Sequence, residues 1–311
     1  MKKIHLEAIN RKLEENEKAF IEKGEDSYRA QIEKIAESIT SSGKKKPIIL
    51  LSGPSGAGKT TTALRLEEYL DNKGLETHTI SMDNYFLPVD SDNIARDENG
   101  EIDFESPYRL DIPLLNDHML KLANCEKIEI PGFDFEHQQR IKGKTLKRNH
   151  GEIIIFEGIH ALNPEVTGLT DSFASCVYVS VRTRVEAASG RIMHPSHIRL
   201  MRRLIRDKFF RARDPEHTLG MFASVERGEN KYIMPYKYRA EYSVDTFMPY
   251  ELSVYKNYIA DDLRKVSERY IDFEGLDLMS EVLDEIDPVA AQMVPEDSLV
   301  REVIGGSRLA Y

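Results

Sequence analysis

The sequence predicts an α/β fold: a parallel sheet with helices on both faces, a glycine-rich loop after its first strand, an arginine-rich helical lid, and helical extensions at both ends. Three observations carry this prediction. Short apolar runs alternate with helix-period segments from residue 47 to residue 181. The stretch "LLSGPSGAGKTTT" (50–62) joins the first apolar run to the first of these helices. The stretch "HIRLMRRLIRDKFFRARD" (197–214) segregates arginine from apolar residues. Strands alternating with helices imply a parallel sheet that is buried on both sides.

Taken in order, residues 1–42 are polar and helix-prone, with Ile32, Ile35, Ala36 and Ile39 forming a stripe at helical spacing. They read as a helical appendage packed by one face on the following domain. "SSGKKKP" (41–47) is a breaker. "PIILLSG" (47–53) reads as a buried strand, and 59–74 as a helix with Gly74 just past its end. "ETHTISM" (76–82) is a second strand, 111–125 a helix, and "KIEIP" (127–131) a further strand. "GEIIIFEG" (151–158) and "SCVYVSV" (175–181) complete the strands. Residues 183–228 read as arginine-rich helices, and 275–286 as a helix. In the irregular tail, Val300, Val303 and Ile304 are spaced to pack. The organisation expected is an N-terminal extension (1–46), a nucleotide-binding domain (47–265, lid about 195–228) and a C-terminal extension (266–311).

Composition excludes several classes. Hydrophobic and charged shares of 41% and 31% are ordinary for a soluble globular chain. A net charge of -10 argues against broad nucleic-acid or anionic-membrane binding. Cys125 and Cys176 lie far apart with no metal spacing, which suits idle thiols in a reducing compartment. The N-terminus has no apolar secretory core, and no run approaches the length of a membrane span. A cytoplasmic protein is expected, either monomeric or a homo-oligomer.

Gly53-Pro54-Ser55-Gly56-Ala57-Gly58-Lys59-Thr60 fits GxxxxGK[ST], the P-loop. A chain of this length matches that pattern by chance roughly one time in a hundred. Here it also follows a buried strand and opens a helix, as its chemistry requires. Glycines let backbone N–H groups converge on phosphate oxygens, and the helix N-terminus adds its dipole. The nucleotide cradle is therefore Gly53, Ser55, Gly56, Ala57, Gly58, Lys59, Thr60 and Thr61. Lys59 reaches the β/γ-phosphates and Thr60 offers its hydroxyl to Mg²⁺. The implied cofactors are ATP and Mg²⁺.

The only Asn-Lys pairs, "NKGL" and "NKYI", lack the Asp of a guanine-reading NKxD, and no LSGGQ-like stretch is present. A GTPase and a transporter ATPase are thus excluded. Glu157 ends a buried strand before Gly158, where a carboxylate can orient metal-bound water. Asp83 follows the second strand on the same side, placed to take a proton from an attacking hydroxyl. An Asp at a strand end is as often a turn or cap residue, so Asp83 alone decides nothing.

On a helix through 197–214, Met201, Leu204, Ile205 and Phe209 share one side, while Arg199, Arg202, Arg203, Arg206 and Arg213 share another. Guanidiniums so placed repel unless something anionic lies between them. One-sidedness favours a phosphate clamp over a solvated face, and the net charge argues against RNA.

"GPSGAGKTTT", "SMDNYF", "FESP", "PGFDFEHQQR", "IIIFEGIHAL" and "RRLIRDKFFRARD" occur in the order found in the uridine kinase / phosphoribulokinase family of P-loop kinases. The resemblance spans roughly 32–265. The tail "VPEDSLVREVIGGS" resembles a bacterial, nucleoside-kinase-like subgroup whose kinase often follows a TGS-type domain, here expected to be missing. The resemblance implies a P-loop NTPase-type fold and phosphoryl transfer to a small-molecule acceptor, a nucleoside or similar compound. It implies Asp83 as general base, facing the metal with Glu157 and Thr60. It places Glu105 on ribose hydroxyls, Phe133 and Phe135 around the base, and Gln138 and Arg140 near the acceptor. Arg206, Arg211 and Arg213 match the lid arginines, with Arg203 closer to the acceptor. Three departures put uridine itself in question. Glu105 stands for Asp, Phe133 for Tyr, and Gln138 takes the place of a base-reading His, with His137 preceding it.

Overall fold

The computed structural model describes residues 2–41, 46–91, 94–98, 100–270 and 273–309. Residues 42–45 of the predicted breaker lie outside that set. Five parallel strands form the central sheet: β1 (Ile48–Ser52), β2 (Thr77–Ser81), β3 (Ile153–Glu157), β4 (Ala174–Ser180) and β5 (Tyr242–Asp245). Their spatial order is β5-β4-β1-β3-β2. Around them pack α1 (Leu6–Ser41), α2 (Lys59–Asn72), α3 (Ile112–Ala123), α4 (Pro195–Phe210), α5 (Pro215–Gly228), α6 (Glu251–Ser267), α7 (Leu276–Glu285) and α8 (Leu299–Ile304).

β1 and β3 are buried at every position, as the apolar runs require. Their alternate residues serve two cores. Ile49, Leu51, Ile155, Val177 and Val179 pack with side chains of α1, α2, α4 and α6 through α8. Ile48, Leu50, Ile154, Phe156 and Tyr178 pack with Leu115, Met119 and Leu122 of α3. β1 lies between β3 and β4, so the chain leaves it at the point where crossovers diverge to either side. Ligands of open α/β sheets bind there, outside the strand C-termini.

α1 is built into the first core by the predicted stripe, with Ile32, Ile35, Ala36 and Ile39 all buried. Its Gln31 amide bonds both ways to the backbone of Asp245, at 3.1 and 3.0 Å, and so covers the free edge of β5. α1 kinks at Asn16, whose side chain accepts from the Ala19 amide at 3.0 Å and restarts the helix.

Several expectations are corrected. Residues 3–5 form a strand, paired in parallel with Arg184–Glu186, so the first residues are not helical and 183–193 is partly extended. Lys127–Glu129 pairs with Thr145–Lys147 outside the central sheet, because only Ile128 of its three residues is buried. β5 has no apolar run and shows no signal in the sequence; it is an edge strand with a single buried residue, Val244. Phe209 does not join the apolar face of α4: it is 50% exposed, edge-on to Tyr258. Arg213 lies beyond the end of α4, in a turn where the Arg211 and Arg213 amides both bond the Asp207 carbonyl.

One ion pair joins these elements. Arg202 of α4 is fully buried and bonds both Glu251 carboxylate oxygens, at 2.7 and 3.0 Å. It also donates to the carbonyls of Gly56 (3.1 Å) and Thr246 (2.6 Å). Burial disfavours its charge, yet the Glu251 carboxylate holds its pKa above the ordinary value. Glu251→Ala leaves that guanidinium buried and unpaired. The expected loss is about 3–5 kcal/mol of unfolding free energy, measured by urea denaturation.

Candidate active site

The loop between β1 and α2 is held from outside at nearly every residue. A Cβ on Gly53 would lie 2.0 Å from the Val179 carbonyl oxygen, so only glycine lets the loop leave β1 against β4. Gly58 caps α2 at φ 78, a conformation that costs glycine nothing. Arg199 donates to Ser55 O (3.2 Å), Arg203 to Ser55 Oγ (3.1 Å) and Thr246 to Ala57 O (2.8 Å). With their carbonyls tied back, the loop is left with its amides and the α2 N-terminus, an arrangement that favours anions.

Lys59, the first residue of α2, donates to Pro54 O at 3.3 Å. It lies in the electrostatic surroundings of Asp83, Glu105 and Glu157. Glu157 ends β3 and is buried, which pushes its pKa to about 7 against the pull of Lys59. Burial likewise raises Asp83, opposed by Lys59, Arg211 and Arg206. Asp83 is not the cap of its turn; Ser81 is, accepting from the Asp83 amide. Burial carries half-buried Glu105 to about 7, against Arg203 and Lys59.

Opposite these acids stands the arginine face. Asp207 is completely buried and lies within 3.1–3.9 Å of Arg203, Arg206, Arg211 and Arg213. It is the anion between the guanidiniums, and one carboxylate among four leaves a cationic surplus. Burial, then crowding by Arg211, lowers Arg206 to about 10. Arg199 and Arg202 belong to a different set from the one their helical stripe suggested. Arg199 pairs with Glu229 (2.7 Å) and Arg202 with Glu251, so both brace the loop rather than face a ligand.

The predicted aromatic residues come together on a hairpin beside Asp83. Phe133 packs edge-on with Phe135 (5.3 Å between centroids) and with Phe86 (5.7 Å). Phe133 is buried, whereas Phe135 is 56% exposed. Arg140 pairs with Asp111 at 2.9 Å and bonds the carbonyls of Tyr85 and Phe86, so it buttresses the turn that carries Asp83. Gln138, at φ 53, donates to Phe135 O (2.8 Å) and accepts from Arg109 (3.3 Å). His137 is turned away onto Asp134. Arg109 was not anticipated: it is buried, stacked between Phe86 and Phe104, and its position in "FESPYR" carried no periodic signal. His160 was missed as well. Burial drops its pKa to about 3, and its ring meets Tyr232 edge-on. Its place three residues after Glu157 was the available clue.

Residues 48–252 match the model of the phosphoribulokinase / uridine kinase family. The chain belongs to that family. It is 31% identical over 201 residues to a uridine kinase of Lactobacillus johnsonii, covering 63% of this chain and 85% of that one. It is 28% identical to a uridine kinase of Macrococcus caseolyticus, covering 63% and 86%. Among solved structures it is similar to a possible uridine kinase from Bacillus stearothermophilus, with TM-score 0.47 and 17% identity over 70% of this chain and 98% of that one. This phosphoribulokinase / uridine kinase family member is a phosphotransferase with a hydroxyl acceptor. The stretch matched runs from β1 into α6 and contains the loop, Asp83, Glu157 and the arginine face; α7 and α8 lie beyond it.

The raised acids make stability depend on pH. Folded Glu157 keeps its proton to about pH 7, while the unfolded chain releases it near the ordinary value of 4.5. The folded state thus binds more protons in that window, and stability falls as pH rises through it. Glu157→Gln removes this term. In metal-free buffer its melting temperature, relative to wild type, should rise between about pH 5 and about pH 8. A difference constant across that range contradicts the raised value.

Proposed function

We propose that this kinase transfers the γ-phosphoryl group of ATP to the primary hydroxyl of a nucleoside or nucleoside-like acceptor, with Mg²⁺ as cofactor. One observation carries the reading: Lys59 at the loop sits amid Asp83, Glu105 and Glu157, with the arginine surplus facing Asp83. On this reading donor, acceptor and metal chemistry converge at the strand C-termini. Asp83 and Glu157, with the Thr60 hydroxyl, offer only hard oxygen donors, which fits Mg²⁺. Bound there, the ion would neutralise phosphate charge. The carboxylates' raised pKa values fit the same role, since a nearby cation restores their charged forms.

The residues divide the work. The loop amides and Lys59 hold the donor phosphates. Asp83 accepts the acceptor's hydroxyl proton as that oxygen bonds the γ-phosphorus, the bond from phosphorus to the β,γ-bridging oxygen breaks, and ADP leaves. Arg206, Arg211 and Arg213 balance charge on the phosphoryl group, and α4 and α5 exclude water. Glu105 receives the acceptor's neighbouring hydroxyls, and the Phe86, Phe133 and Phe135 group flanks its ring. A second reading, another small hydroxyl compound such as a sugar phosphate or a vitamin precursor, is favoured by one fact. Both ends of the Gln138 amide are engaged within the protein, and Phe133 has no hydroxyl, so the polar groups that would read a base are few.

Asp83→Asn should lower turnover by roughly 10²–10⁴-fold and leave ATP affinity within a few-fold. Unchanged turnover removes Asp83 as the base. Acceptor-dependent ADP release across a panel of nucleosides and other hydroxyl compounds separates the two readings. No release with any acceptor would favour a nucleotide-binding regulator instead.

A further inference from the structure

The last helix, α8, packs on α4 and α2 and touches the phosphate loop. Leu299 is fully buried, and a Cβ on Gly58 would meet its Cδ1 at 2.4 Å. Val300 and Val303 are buried beside it. The Thr61 hydroxyl, on the first turn of α2, donates to the Glu302 carboxylate. Glu302 and Arg206 line one narrow crevice with Gly56 and Gly58. The seat is fastened on all sides. Ser298 bonds Tyr250 at 2.9 Å, Asp297 pairs with Arg65 at 2.7 Å, and Arg301 bonds the carbonyls of Ala291 and Val294 at 2.8 and 2.7 Å.

The first turn of a helix attracts negative charge, and the loop amides add to that attraction. Here the chain supplies the charge itself. The Thr61 hydroxyl has one proton to donate. It can serve the carboxylate or a phosphate oxygen, not both. A phosphate at that turn also meets the Glu302 charge at close range, while Arg206, near the same carboxylate, is a cation the phosphate needs.

We propose that Glu302 is a residue of the donor site, an acidic placeholder that holds Thr61 and balances Arg206 until a nucleotide phosphate replaces it. Nucleotide binding and withdrawal of the Glu302 carboxylate are then one event, and Glu302 sets the donor affinity. This rests on reading the loop as the donor site.

The test is calorimetric titration of ADP and ATP, without acceptor, into wild type and Glu302→Gln. The amide keeps the shape and removes the charge. The variant should bind both nucleotides about 5–50-fold more tightly, an ordinary coupling between two events. Equal or weaker binding overturns the placeholder alone. No nucleotide binding by either protein overturns the donor-site reading with it. Hydrogen exchange on the wild type serves as a second measurement. With ATP, amides of 53–62 should become protected while those of 299–305 gain no protection; protection of both segments overturns the proposal.

Discussion

The Arg202–Glu251 pair is the contact through which sheet, α4 and loop hold one another. Two fully buried charges are costly to desolvate, and they persist only where geometry satisfies them completely. Here the acceptors around Arg202 are the Glu251 carboxylate, the Thr246 hydroxyl, and backbone carbonyls just past β5 and in the loop. Glu251 in turn accepts from the Met248 amide at 3.0 Å, which fixes the start of α6. The loop is therefore positioned by elements distant in sequence. A small shift of α4 would move Gly56 with it.

This arrangement divides the charges of the site. Two arginines of α4, Arg199 and Arg202, are neutralised by Glu229 and Glu251 and serve as struts. Arg203, Arg206, Arg211 and Arg213 share Asp207 and keep a net positive charge. Across from them Asp83, Glu105 and Glu157 are all pushed toward their neutral forms by burial, with Lys59 in reach of each. Cations crowd one wall and acids the other. A polyanion accompanied by a divalent cation would relieve both walls at once, which supports the proposed use of ATP with Mg²⁺.

Much of this was legible in the sequence because it is local. The loop and its strand-to-helix context lie within a dozen residues, and buried parallel strands show as apolar runs. The stripe on α1 gave its buried face correctly. What could not be read depends on partners far along the chain. Periodicity puts Arg199 and Arg202 on one stripe with Arg203 and Arg206, but only the fold brings Glu229 and Glu251 to the first two. β5 is held by β4 on one side and by Gln31 on the other, so its own residues need little β character. The tail's Val300 and Val303 announced packing, yet nothing local told that their helix lies on α4 and α2 with Leu299 against Gly58 of the loop.

The end of α5 and Glu105 are in direct contact, so the arginine side of the site and the carboxylate proposed for the acceptor share one packing constraint. Gly228, the last residue of α5, lies against Glu105: a Cβ there would sit 2.2 Å from that of Glu105. α5 thus ends on Glu105, and Tyr232, a few residues on, bonds Asp103 at 3.1 Å. Glu105 cannot move to meet an acceptor without disturbing the seat of α5. Conversely, α5 cannot lift without loosening Glu105. If Glu105 receives the acceptor's hydroxyls, as proposed, this contact lets α5 respond to the acceptor as well as to the donor.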